Sequence, residues 1–278
     1  MSILNRLFGP KQPPPPPRDV MALAAPLVRP AVQIVPSADD ATSYFGGAPP
    51  LPDGTAWPTA GGRPLTFLAC LDLSPLQAAL STPWLPSSGR LLFFYDAENQ
   101  PWGFDPKDRG SWAVMLVGDG STPGRSEGLQ PPTAALTRHA VSFRAIDTYP
   151  SWERAEVKAL QLTDAETELL IDGGTASFGE APMHQVSGFP QPVQGDEMEL
   201  ECQLVSHGLY CGDSSGYLSR EAAGLSDGAK DWRLLLQIDS DDDLGVMWGD
   251  AGILYFWIRE QDARAGRFDQ AWAVLQCH

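Results

Sequence analysis

Cysteine, positive charge and long apolar segments are all scarce in this sequence. Four cysteines in 278 residues are too few for a fold that depends on disulfide bonds. No apolar run reaches the roughly 18 residues that a membrane-spanning helix needs. The 19 Lys and Arg are outnumbered by 35 Asp and Glu, which gives a net charge of −16. This balance argues against direct binding to nucleic acid, because such binding requires clustered basic residues.

The two ends of the chain suggest its organisation and compartment. No secretory signal opens the sequence, so we expect the cysteines to be reduced thiols in a cytoplasmic protein. Five consecutive prolines, Pro13 to Pro17, predict a stiff polyproline spacer. We therefore expect an N-terminal tail over residues 1–18 and a single domain over residues 19–278. The apolar residues near Met1 either touch a membrane surface or a partner, or form a frayed terminus.

Short segments rich in aromatic and branched residues predict a strand-rich protein. Helical patterns are fewer, and they do not alternate regularly with the strands. The sequence therefore predicts an α+β fold with mostly antiparallel sheets and a few short helices. The predicted strands are Ala31–Val35, Leu65–Asp72, Arg90–Tyr95, Trp112–Val117, Ala140–Ile146, Met198–Val205, Trp232–Asp239, Gly252–Ile258 and Ala271–Cys277.

The two halves of the chain repeat the same order of motifs. Each half has a Gly-x-Pro loop, then an apolar strand that ends in Asp, then a glycine followed by an aromatic strand. The matching strands are Leu65–Asp72 and Trp232–Asp239, followed by Arg90–Tyr95 and Gly252–Ile258. This order predicts two related β-rich halves packed as one domain.

Several motifs together resemble one known family. They are PLTFLACLDL, GRLLFFYD, MHQVSGFPQPVQGD, WRLLLQIDSD, WGDAGILYFWI and the terminal LQC. Over residues 30–278 the sequence resembles the YwqG-like family of bacterial proteins. The resemblance implies a strand-rich α+β domain with internal pseudo-symmetry. It implies no established activity and therefore no site residues.

An acidic loop near residue 240 has the spacing of a calcium site. Asp239, Asp241, Asp243 and Asp250 fall at positions 1, 3, 5 and 12, where calcium loops place carboxylates. Leu244 replaces the usual glycine at position 6, and the flanks predict strands rather than helices. The alternative interpretation is a solvated acidic turn between two strands. A Ca²⁺ site and a cation-assisted hydrolase that uses these carboxylates both stay open.

His184 could serve as a general base beside this chemistry. The alternative is a structural histidine that is hydrogen-bonded to the backbone. The sequence leaves open whether the protein is an enzyme.

The excess of acidic residues favours a different function, namely protein binding. Residues 193–278 contain 16 acidic and 6 basic residues, a field that would attract a basic protein partner. Glu197, Glu199 and Glu201 alternate with apolar residues, so the predicted strand would present them on one exposed face. We therefore predict a non-catalytic binding domain whose partner contacts these three glutamates. The tryptophans either line an aromatic cleft or pack in the core.

Overall fold

The structure, a computed structural model, describes residues 18–38, 40–120, 135–179 and 182–278. Nearly all of the predicted tail, residues 1–17, lies outside the described residues. Its last residue, Arg18, is described, and its guanidinium donates to the Glu166 carboxylate at 2.7 and 2.6 Å. The division into tail and domain stays a prediction, and this contact favours a boundary before Arg18.

Twelve strands occur in the part of the chain that the structure describes. Three of them, β6, β7 and β10, have the predicted bounds, and most of the other predicted strands differ only by a few residues at their ends. The strands are β1 (Arg29–Pro36), β2 (Ser43–Phe45), β3 (Thr59–Ala60), β4 (Arg63–Pro64), β5 (Thr66–Asp72), β6 (Arg90–Tyr95), β7 (Trp112–Val117), β8 (His139–Thr148), β9 (Gln185–Val186), β10 (Trp232–Asp239), β11 (Ile253–Arg259) and β12 (Trp272–Gln276).

Eight short α-helices connect or cover the strands within the described ranges. They are α1 (Val20–Ala24), α2 (Leu73–Ala79), α3 (Ala155–Lys158), α4 (Asp164–Ala176), α5 (Met198–Val205), α6 (Ser214–Tyr217), α7 (Arg220–Leu225) and α8 (Glu260–Arg264). Side-chain caps fix where several of them begin: Asp72 caps α2, and Thr163 and Glu166 form a capping box at α4. None of these helices is both long and apolar enough to cross a lipid bilayer.

One predicted strand is wrong, because Met198–Val205 forms helix α5. Over eight residues, alternation and helical periodicity are hard to distinguish. The buried side chains Met198, Cys202 and Val205 follow the helical spacing i, i+4 and i+7. Glu199 and Glu201 lie in the first turn, where negative charge favours the helix dipole.

Ten of the strands form one sheet, and its order is symmetric about its centre. The order is β12-β11-β10-β9-β1-β8-β2-β5-β6-β7, and neighbouring strands pair antiparallel. A three-stranded meander lies at each edge of the sheet, β5-β6-β7 at one and β10-β11-β12 at the other. A short strand, β2 or β9, flanks each meander on its inner side, and β1 pairs with β8 in the middle. The predicted α+β fold with two pseudo-repeated β-rich halves is confirmed.

The two halves also match in detail. β5 changes register between Phe67 and Ala69, and β10 does so between Leu234 and Leu236. The backbone N–H that ends each strand donates to a side chain of the neighbouring short strand or its flank. The Asp72 N–H donates to Ser43 Oγ at 2.9 Å, and the Asp239 N–H donates to His184 Nδ1 at 3.0 Å.

The core lies inside the sheet, which curls until its edge strands approach each other. Trp112 at the start of β7 donates from Nε1 to the Ala271 carbonyl at 2.9 Å, and its ring lies 5.0 Å from that of Trp272. Phe93 of one half meets Phe256 of the other at 5.2 Å. The helices and loops outside this core carry the clefts described next.

Candidate functional site

The three glutamates predicted to share a face lie at the start of α5 and point to different sides. In a helix, residues four apart share a face and residues two apart do not. Glu197 and Glu201 line one cleft, whereas Glu199 lines a second one together with Glu197. Glu199 accepts from Arg154 at 2.9 Å. The expected continuous surface of three exposed glutamates is therefore wrong.

The acidic turn is held by hydrogen bonds within the chain. The Asp239 carboxylate accepts from the Met183 N–H at 3.0 Å, and Asp241 accepts from the Asp243 N–H at 2.8 Å. Asp243 and Asp250 are exposed. In the described residues, no group of three or more His, Cys, Asp or Glu side chains is arranged to hold a metal ion. The calcium site stays a prediction from the sequence.

His184 lies against the acidic turn with both ring nitrogens engaged. Nδ1 accepts from the Asp239 N–H, which leaves the proton on Nε2, and Nε2 donates to the Asp241 carboxylate at 3.1 Å. This bond lowers the pKa of Asp241. A histidine in this arrangement has no free lone pair for proton abstraction, so the geometry favours the structural interpretation.

A cleft of about 590 Å³ lies beside Glu201, and we call it the acidic cleft. Its volume falls within the range of roughly 300–1,000 Å³ that is typical of ligand sites. Four carboxylates and one cation line it: Glu153, Asp196, Glu197, Glu201 and Lys158. The structure thus gathers acidic residues from α5 and the segments before α3 and α5.

Most of these carboxylates already have partners or face solvent. Asp196 is buried and receives both Nε and Nη2 of Arg154. Glu153 accepts from the Asp196 N–H at 3.1 Å. Glu197 is exposed at the rim. These three groups are therefore explained by pairing or by hydration.

Glu201 is different, because within the described residues no Lys or Arg pairs with its carboxylate. Burial raises its pKa to about 7, and a hydrogen bond from Tyr217 only partly opposes this shift. A carboxyl group in a cleft whose pKa lies near 7 marks a candidate functional site. At pH 8 this group is an ionised carboxylate without a cation.

Two groups beside Glu201 are held in their neutral forms. Burial and the nearby Glu201 raise the pKa of the Cys211 thiol to about 11. Burial and Glu201 also raise the pKa of Tyr217. Since the thiolate is the nucleophilic form of cysteine, Cys211 is not activated for covalent catalysis.

Aromatic rings complete the acidic cleft. Trp102 is 37% exposed and lies 6.4 Å from Phe104, and both line the cleft. Tyr210 packs edge-on against Phe104 at 5.6 Å. The loop that carries Trp102 and Phe104 is fixed by hydrogen bonds from the Leu275 and Cys211 N–H groups to their carbonyls. The site therefore combines a partly buried carboxyl group with aromatic surface.

The chain belongs to a family described as a domain of unknown function (DUF1963), whose sequence model matches residues 43–277. An uncharacterised domain family is thereby confirmed, whereas the YwqG-like name is not confirmed. The comparison with curated proteins finds no match. Function has to be argued from the clefts themselves.

The sequence also contains a serine motif that the sequence analysis did not identify. Gly212-Asp-Ser-Ser-Gly216 has the Gly-x-Ser-x-Gly spacing of a nucleophile elbow. Ser214 is exposed at the start of α6, which Asp213 caps, and no strand precedes it directly. A second copy of the spacing, Gly124–Gly128, lies outside the described residues. The pattern near α6 therefore lacks the strand–turn–helix context that gives it meaning.

Proposed function

We propose that this protein is a binding domain that takes a Lys or Arg side chain of a basic protein partner into the acidic cleft. The observation that carries the proposal is the Glu201 carboxyl group, partly buried without a cationic partner in the described residues and with its pKa raised to about 7. A bound cation would neutralise this charge and repay the desolvation that the folded protein bears.

The rest of the acidic cleft suits the same ligand. The faces of aromatic rings attract cations, most strongly where water is excluded. Trp102 and Phe104 supply such surface at the cleft. Glu197 at the exposed rim adds negative charge at the entrance. A lysine or arginine with its long aliphatic stem fits this combination of apolar wall and charged end.

The charge of the whole chain supports association with a basic partner. The net charge is −16, and such a field speeds the encounter with a cationic protein. The neutral states of Cys211 and Tyr217 favour binding over covalent catalysis at this place.

The experiment uses a pentalysine peptide as the probe and isothermal titration calorimetry at low salt. Only about 10% of Glu201 is ionised at pH 6 if its pKa is about 7, and about 90% at pH 8. We therefore expect the affinity of the parent protein to fall by about tenfold from pH 8 to pH 6. In Glu201→Gln the affinity at pH 8 should fall by at least about tenfold.

The matched control is Glu168→Gln on α4, which removes the same charge from an exposed position outside the clefts. It should stay within about twofold of the parent, as expected for a screened surface charge. Equal losses in Glu201→Gln and Glu168→Gln would mean that only the overall charge attracts the peptide, and the proposal would be wrong.

A further inference from the structure

A second cleft, of about 690 Å³, lies on the other side of the start of α5, and we call it the basic cleft. Four cations line it in a chain that is otherwise strongly acidic: Arg29, Arg154, Lys230 and Arg233. Glu197 and Glu199 are the acidic side chains on its wall. Such a concentration of positive charge is unexpected from the composition and calls for an explanation of its own.

Two of the cations are engaged by carboxylates. Arg154 binds Asp196 and Glu199, and Arg233 donates to Glu260 at 2.7 Å. Within the residues that the structure describes, no carboxylate pairs with Arg29 or Lys230. Arg29 and Lys230, which are both exposed, thus form no ion pair within the described residues, although the charges of Glu199 and Glu156 act on Arg29.

Arg29 is held in place despite having no carboxylate partner. Its guanidinium lies over the Phe189 ring, 4.0 Å from the centroid. Desolvation and the positive charge of Arg154 lower the pKa of Arg29, whereas Glu199 and Glu156 partly oppose this shift. The Lys230 carbonyl accepts from Arg233 at 2.7 Å, and Lys230 lines the same cleft. An anion entering here would relieve this repulsion.

Apolar side chains form part of the wall of the basic cleft. Leu80, Pro83 and Leu200 line it with partly buried or exposed side chains, whereas the indoles of Trp84, Trp232 and Trp257 are nearly fully buried. The Trp257 Nε1–H is buried without a hydrogen-bond partner among the described residues. A buried donor of this kind costs free energy unless something accepts from it. The cleft therefore offers a cationic end beside an apolar wall, and the unsatisfied Trp257 donor lies enclosed in the residues that line it.

We propose that the basic cleft binds a small organic anion with two negative charges, whose charged group is held by Arg29 and Lys230 and whose apolar body packs on the wall formed by Leu80, Pro83 and Leu200. Two cations without an ion-pair partner in the described residues match a doubly charged group such as a phosphate monoester. The volume exceeds what a bare inorganic ion fills. This proposal does not depend on the function proposed for the acidic cleft.

Phenyl phosphate is the probe, and calorimetry at low salt measures its affinity for the full chain. Inorganic phosphate lacks the apolar body, and benzoate carries one charge, so both should bind at least about tenfold more weakly. Equal affinity for inorganic phosphate would refute the role of the apolar wall. Equal affinity for benzoate would refute the preference for two charges.

Variants locate the site. Arg29→Met and Lys230→Met should each weaken phenyl phosphate by about tenfold, while their melting curves stay those of the parent. The control Arg220→Met removes the same charge from an exposed position on α7 and should change the affinity less than twofold. If all three variants lose affinity alike, or if phenyl phosphate does not bind at millimolar concentration, the proposal is wrong.

The indole N–H of Trp257 gives an independent readout by NMR. We assign its proton resonance by comparison with Trp257→Phe. Phenyl phosphate should shift this resonance in the parent and leave unchanged the indole resonance of Trp57, which packs in a separate apolar cluster. A Trp257 resonance that does not move at saturation would contradict binding in this cleft.

Discussion

The acidic and basic clefts lie on either side of the start of α5, and they differ in which charges the protein leaves unpaired. In the acidic cleft, Asp196 is neutralised by Arg154, whereas Glu201 has only the Tyr217 hydroxyl. In the basic cleft, Arg154 and Arg233 are paired, whereas Arg29 stacks on an aromatic ring. In each cleft, a charged side chain with an ion-pair partner serves the structure, and one without such a partner stays available to a ligand.

Helical geometry produces this division. Glu197 and Glu201 are four residues apart and reach the acidic cleft together, whereas Glu199 lies between them and meets Arg154. Arg154 lies between the two clefts, since it pairs with Asp196 of the acidic cleft and Glu199 of the basic cleft. Substitutions in both clefts therefore test whether a charged side chain with an ion-pair partner stabilises the fold, and whether one without such a partner is left to bind a ligand.

The largest effect is expected from Arg154→Met. Its removal leaves the buried Asp196 carboxylate and the half-buried Glu199 without their cation. We expect the free energy of unfolding at pH 7.5 to fall by about 3–5 kcal/mol, measured by urea titration. Combining it with Asp196→Asn should recover part of the loss, and a single variant as stable as the parent would refute the structural role.

A smaller effect of opposite sign is expected from Glu201→Gln. The folded pKa is about 7, above the ordinary 4.5, so between these values the folded state binds more protons than the unfolded state. Stability contributed by this group is therefore lost as the pH rises from 4.5 to 7. At pH 8 we expect Glu201→Gln to be more stable than the parent by roughly 1–3 kcal/mol.

Urea titrations at pH 4.5 and pH 8 measure this difference. The two proteins should have similar stabilities at pH 4.5, because Glu201 is protonated in the folded parent there. A gain of the same size at both pH values would show that the effect does not come from ionisation of Glu201.

The acidic turn provides a comparison with carboxylates that have internal partners. Asp241→Asn removes one of the two acceptor oxygens that serve His184 and the Asp243 N–H. We expect a loss of about 1 kcal/mol, while Asp250→Asn, on an exposed side chain, should be silent within about 0.5 kcal/mol.

Calcium tests the same turn directly. Millimolar Ca²⁺ should leave the melting temperature of the parent unchanged. A bound calcium ion would be detected, because a ligand at one hundred times its dissociation constant stabilises the folded state by about 2.7 kcal/mol. A rise in melting temperature that Asp241→Asn and Asp243→Asn both abolish would restore the calcium site predicted from the sequence.

The smallest effect is expected from Arg29→Met. The variant loses the contact with Phe189 and the attraction of Glu199 and Glu156, but it also relieves repulsion from Arg154 and Arg233. The free energy of unfolding should therefore change by no more than about 0.5 kcal/mol. Urea titration of Arg29→Met and Arg154→Met measures both free energies of unfolding. Similar losses of stability in the two variants would contradict the claim that Arg154 is structural and Arg29 is available to a ligand.

The sequence predicts the meanders well because their strands are long, aromatic and branched. β6, β7 and β10 have the predicted bounds. Met198–Val205 fails because its apolar residues at 198, 200, 202 and 204 alternate as in a strand, while those at 198, 202 and 205 have helical spacing. The first-turn glutamates favoured a helix, and that pattern was available in the sequence.

Local sequence patterns do not predict the two clefts. The acidic cleft joins Trp102 to Glu201 and Tyr217, which lie about 100 residues further along the chain and meet it only after the sheet has curled. Arg29 and Lys230 in the basic cleft are 201 positions apart. Composition indicated an acidic excess concentrated in residues 193–278, yet the fold also gathers four cations in one cleft.

The most direct test of the account is the pKa of Glu201 itself, measured by a ¹³C NMR titration of its carboxyl carbon with and without pentalysine. The resonance is assigned by its loss in Glu201→Gln. We expect a midpoint near pH 7 in the free protein and a midpoint at least about one unit lower with the peptide bound, since a cation favours the ionised form. A midpoint near 4.5 in the free protein, or one that the peptide leaves unchanged, would contradict the claim that Glu201 is the unpaired charge that receives the partner.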